Sequence, residues 1–105
     1  MTECIAYLDK GNLIIVNNSD EELKVSRVNV EYVIIGFKWE PTLHGREVKR
    51  VRRKVSEILS VSLSIPPKSK AKLYFGEVNE LLKVSLQVVK EGKSYVYECK
   101  VTEAT

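Results

Sequence analysis

No stretch of this chain approaches the ~18 consecutive apolar residues that a membrane helix requires; the longest apolar runs, Leu13–Val16 and Val33–Ile35, are strand-sized. The amino terminus, Met1-Thr2-Glu3-Cys4, lacks a basic region followed by an apolar one, so no secretory signal is read and a soluble, cytoplasmic protein without membrane insertion is expected. There is one histidine, His44, and the only aspartates, Asp9 and Asp20, both fall among turn formers. No G-x-S-x-G, Walker segment, Rossmann glycine pattern or D-x-D-x-D-G loop occurs, and paired carboxylates for acid–base work cannot be placed. The expectation is a non-enzyme with no cofactor and no metal. Glutamine is almost absent (Gln87 alone), while Val, Lys, Glu and Ile are favoured, a balance that resembles thermophile usage.

Cysteine is scarce too. Cys4 and Cys99 stand one near each end, too few for a structural zinc site and unlike a C-x-x-C pair. Two readings stay open: a pair of reduced, partly buried thiols, or a disulfide that clips the first strand to the last. In a cytoplasmic protein the second would be unusual outside hyperthermophiles.

What the chain does have is alternation. With 105 residues, 44% of them apolar and 30% charged, it fits one globular domain spanning 1–105. Residues 3–9 read as a strand ended by Asp9-Lys10-Gly11-Asn12, and Leu13–Val16 as its hairpin partner, closed by Asn17-Asn18-Ser19-Asp20. Strand pattern resumes at Leu23 and Val25 and changes phase to Val28, Val30 and Tyr32, which places a β-bulge near Ser26-Arg27. Leu59 to Ile65 alternates without a fault, and Pro66-Pro67 ends that strand. Ala71, Leu73 and Phe75, then Leu82, Val84, Leu86 and Val88, then Tyr95, Tyr97, Cys99 and Val101 continue the pattern, with a turn at Gly76–Asn79 and a hairpin at Glu91-Gly92. Seven or eight strands at this spacing predict an all-β, two-layer antiparallel sandwich. The Ile65-Pro66-Pro67 strand end followed by hairpin-joined strands resembles the immunoglobulin-like β-sandwich superfold. The resemblance implies a fold only. It carries no functional residues, because the antibody-type buried cysteine pair is not matched.

Two features point toward function. Between residues 32 and 39 both faces of the strand are apolar: Val28, Val30, Tyr32 and Ile34 line one, and Val33, Ile35, Phe37 and Trp39 line the other. A sandwich strand should be polar on its outer face. Either a kink at Gly36 or a covering loop explains this, or Val33, Ile35, Phe37 and Trp39 face a protein partner. The second feature is Arg46 to Lys54. Its six basic residues (Arg46, Lys49, Arg50, Arg52, Arg53 and Lys54) and one acid give +5, against −3 for residues 1–45 and +1 for 55–105. The segment follows a loop bracketed by Pro41 and Gly45, and is expected as an exposed strand or loop with a helical turn as the alternative. Such a patch protects a strand edge, docks on an acidic protein, or neutralises phosphates; no aromatic residue interleaves with it in sequence, as single-strand binders require. The leading expectation is therefore a non-catalytic protein-interaction module, self-associating or docking on another protein. A small nucleic-acid binder using segment 46–54 is the alternative.

Overall fold

A computed structural model describes residues 4–76 and 78–102. Seven strands form one curled, mixed sheet: β1 (Cys4–Asp9), β2 (Asn12–Asn17), β3 (Leu23–Thr42), β4 (Gly45–Ile65), β5 (Lys70–Tyr74), β6 (Glu80–Lys90) and β7 (Lys93–Val101), in the order β4-β3-β6-β7-β1-β2-β5. All neighbouring pairs are antiparallel except β1 and β7, which meet in parallel over Ile5↔Lys100 and Ala6↔Val101. Among the described residues the strands number seven.

Local chemistry sets the hairpins. Lys10-Gly11 and Glu91-Gly92 each hold two successive residues at positive φ, the left-handed pair whose twist suits a two-residue β-hairpin. The phase change at Ser26 is a register shift between Val25 and Arg27, placed where the alternation breaks. A second shift was not legible. Tyr32 pairs with Leu81 and Glu31 with Lys83, so Leu82 is the extra residue. This puts Leu81 against the core and leaves Leu82 outside the row formed by Val84, Leu86 and Val88.

The sheet curls around one cluster that takes Cys4, Ala6, Leu13 and Ile15 from β1 and β2, and Val25, Val28, Val30 and Tyr32 from β3. Leu23 at the start of β3, Val84, Leu86 and Val88 from β6, Cys99 from β7 and Ile65 at the end of β4 complete it. Asn17, a turn former in sequence, is fully buried at the end of β2. Its Nδ2 donates to the carbonyls of Glu21 (2.8 Å), Ile65 (3.0 Å) and Pro66 (3.1 Å), and its Oδ1 accepts from the Ser19 N–H and hydroxyl. One side chain thus fastens the β2–β3 turn to the β4–β5 turn. Cys4 and Cys99 are disulfide-bonded across the β1–β7 seam, with Cα atoms 4.5 Å apart. Of the two readings of these thiols, the structure contains the bridge.

The strands are not equal in length. β3 and β4 run for 20 and 21 residues, whereas β6 accompanies β3 only as far as Val33. Beyond that point residues 34–42 pair with residues 45–53 alone, forming a two-stranded arm that leaves the body. Nine strand residues span about 30 Å. The arm explains an overall extent of 63 × 30 × 24 Å and a radius of gyration of 17.3 Å, where a compact chain of this length would give about 13 Å.

Candidate functional site

The arm is built by alternation that continues past the body. Ile34, Ile35, Phe37 and Trp39 on one strand and Val48 and Val51 on the other are β-branched or aromatic residues that favour extended backbone. The segment 46–54 is strand throughout, neither helix nor loop. The loop expected between Pro41 and Gly45 shrinks to Leu43-His44, since Pro41 and Thr42 remain paired with Arg46 and Gly45. Gly45 adopts φ +130°, and the Thr42 hydroxyl donates to its carbonyl at 3.1 Å. His44 is exposed in this turn. At the root, Asn79 anchors the arm just before β6 begins: its N–H donates to the Val33 carbonyl (3.0 Å) and its Oδ1 accepts from the Ile35 N–H (2.7 Å).

Directly opposite residues of an antiparallel pair share a face. The register Ile35↔Arg52, Phe37↔Arg50, Trp39↔Val48 and Pro41↔Arg46 therefore defines one face, and Ile34↔Arg53, Gly36↔Val51, Lys38↔Lys49 and Glu40↔Glu47 the other. The first face holds three arginines and no carboxylate. The second holds three cations and two carboxylates. Lys54, opposite Val33, extends the first face at the root.

Ion pairs divide the cations further. Arg52 is bridged to Glu80 and Lys54 to Glu31 at the root, and Lys49 is bridged to Glu40 on the second face. Arg46 and Arg50 carry no ion pair among the described residues. They share a face with the two exposed aromatic side chains of the arm, Phe37 (74% exposed) and Trp39 (66% exposed).

Several expectations change here. No register shift occurs at Gly36 and, among the described residues, no loop covers the strand; both faces are apolar between 32 and 39 because the strand passes from the body into the arm. Of the four residues expected to face a partner, Val33 is buried and Ile35 half-buried, whereas Phe37 and Trp39 are exposed. Arg46, Lys49, Arg50, Arg52, Arg53 and Lys54 do not form one patch, because strand geometry deals them to two faces. The aromatics that fail to interleave with the arginines along the chain do so across the hairpin. A signal for this exists in sequence: paired about the 43–44 turn, positions whose numbers add to 87 lie opposite, which pairs 37 with 50 and 39 with 48.

No group of three or more His, Cys, Asp or Glu side chains arranged to hold a metal occurs among the described residues. Comparison of the chain with protein-family models, with curated proteins and with solved structures finds no match.

Proposed function

We propose that this chain is an immunoglobulin-like β-sandwich that acts as a non-catalytic binding module, with the β3–β4 arm as its binding element. The strand order supports the sandwich. It divides at the β1–β7 seam, only two residue pairs long, into β4-β3-β6-β7 and β1-β2-β5, and the core cluster draws on both groups. Hairpin-joined strands in each group, with a first strand that runs parallel to the last, suit an immunoglobulin-like layout.

One observation carries the functional half. The arm exposes Phe37, Trp39, Leu43, Val48, Val51 and Ile34 although the body already has a closed core. An unsupported two-stranded ribbon is marginal in water, and large exposed aromatics beside arginine are the composition of interface anchors. Edge protection accounts for charge on β4 but not for tryptophan and phenylalanine on β3. A second copy of this chain fits the arm less well than a foreign, anionic partner, because two aromatic faces brought together would set three arginines against three.

The test compares wild type with a variant carrying Phe37→Ser, Trp39→Ser, Arg46→Gln and Arg50→Gln, both immobilised and exposed to a cell extract, with bound protein and nucleic acid recovered separately. The variant is expected to melt within a few degrees of wild type and to lose what wild type retains. Identical retention by the two would contradict the assignment of binding to the arm.

A further inference from the structure

Of the arm's two faces, the one that bears Phe37 and Trp39 is specialised. It carries the exposed aromatic pair and two of the arm's three arginines that make no ion pair among the described residues (the third, Arg53, lies on the other face), and it has no carboxylate between Ile35↔Arg52 and Pro41↔Arg46. We propose that this face binds single-stranded nucleic acid, with bases stacking on Phe37 and Trp39 and the phosphate backbone tracking Arg50 and Arg46. The proposal rests on the arm being the binding element and names the partner for it.

Three physical points select this partner. Acidic protein surfaces and nucleic acids are both anionic, and aromatics anchor protein interfaces too, so neither charge nor ring alone chooses between them; the combination of two stacking platforms with a carboxylate-free line of arginine favours nucleic acid. Base–aromatic stacking tolerates any sequence, because every base has a π-face, and positively charged grooves with aromatic platforms are the recurring means of holding single strands.

The spacing is also suitable. Phe37 and Trp39 are two residues apart on one strand, about 6.8 Å along the ribbon. That backbone spacing is twice the ~3.4 Å separation of successive nucleotides in a stacked strand, which matches two bases held apart, one for each aromatic residue. A duplex keeps its base faces covered and would leave both rings without this contact.

The arginines, finally, are placed for the backbone. Arg50 lies opposite Phe37, and Arg46 lies opposite Pro41, one pair beyond Trp39. The two arginines of this face that make no ion pair among the described residues therefore stand on either side of the Trp39↔Val48 pair, one of them level with Phe37. Arg52 and Lys54 continue the line toward the root but are held by Glu80 and Glu31.

The experiment is a fluorescence-anisotropy titration of labelled oligo(dT) and oligo(rU) 20-mers with the full chain. Quenching of Trp39 is a second readout, clean because the chain has a single tryptophan. Binding is expected to weaken between roughly seven- and fifty-fold from about 50 to about 200 mM salt, for two to four phosphates neutralised on a single strand. Phe37→Ala or Trp39→Ala should weaken it by roughly tenfold or more, as loss of one stacked base requires. Arg46→Gln/Arg50→Gln should cost at least about tenfold and flatten the salt dependence. Lys38→Gln/Lys49→Gln removes the same charge from the other face and should leave affinity within about threefold.

Equal losses from the two charge-matched pairs would overturn the proposal in favour of unspecific attraction. Preference for a 20-base-pair duplex with Trp39 unquenched would overturn the single-strand assignment. Quenching by polyglutamate but by neither oligonucleotide would overturn nucleic acid as the partner while leaving the arm as the binding element. No response of Trp39 to any of these probes would remove this proposal and count against the arm as well.

Discussion

Tyr32 marks where body becomes arm, and its hydroxyl is an acid–base device of a simple kind. The ring is buried edge-on to Phe75, centroids 5.2 Å apart, and the phenol donates to Glu57 Oε1 at 2.6 Å. That hydrogen bond first, then burial, then the charge of Glu57, hold the Tyr32 pKa above the ordinary phenol value, because ionising the phenol would remove the donated proton and set two anions together. The folded-state pKa is raised above the unfolded one, so the stabilisation is fully present below the unfolded value of about 10 and is lost as pH rises through the folded value. Urea midpoints measured from pH 8 upward should fall more steeply above about pH 10 for wild type than for Tyr32→Phe. Parallel curves would contradict the assignment. The apolar role of Tyr32 was legible from its place in the Val28, Val30, Tyr32 row. Its partner was not, because Glu57 comes from another strand, is itself exposed, and nothing in its local pattern marks it as reaching the Tyr32 hydroxyl. Asn17 is a similar case: its identity marks a turn, and only the meeting of two distant turns turns it into a buried five-bond hub.

Among the elements, β3 and β4 divide into an inner half that carries stability and an outer half that carries none of the core. Leu86→Ala, opposite Val28 in the body, should cost about 2–5 kcal/mol, since it leaves a cavity in a packed cluster. Phe37→Ala and Trp39→Ala should each lie within about 0.5 kcal/mol of wild type, because neither ring is buried. Chemical denaturation of the three variants checks this division; a large loss from either aromatic variant would mean that the arm packs against the body. The strands themselves were largely readable, since period-two alternation survives in each, and the bulge at Ser26 follows from a phase change within one segment. The arm was not readable. Alternation reports that a residue faces one side or the other, but not whether anything lies on that side. Val33 and Phe37 occupy the same face by parity, yet one is buried and the other open, because β6 stops between them. The division of the arginines between faces was also missed, as a count along the chain adds together residues that point in opposite directions.

For the molecule as a whole, the ends matter as much as the arm. The Cys4–Cys99 bridge joins first and last strands at a separation of 95 residues, beside a parallel seam of only two residue pairs. Closing a loop of that size stabilises by about 4–5 kcal/mol in the chain-entropy model. Reduction, or Cys4→Ser with Cys99→Ser, should therefore lower the melting temperature by well over 10 °C at this size; an unchanged melting temperature would show that the seam holds without it. All-β character, the single core and most hairpins could be inferred from sequence, whereas the shape could not. An elongated molecule with one projecting ribbon follows from unequal strand partnering, which is a property of the sheet and not of any segment.

On the proposed reading one face of this ribbon, and not the body or the opposite face, meets the partner. Side-chain NMR shifts recorded while an oligo(dT) 20-mer is added test it directly. We expect the resonances of Phe37, Trp39 and Val48 to move together, while those of Val51 and Ile34 on the other face and Leu86 and Val88 in the core stay in place. Shifts centred on the body, or spread evenly over both faces of the arm, would contradict it.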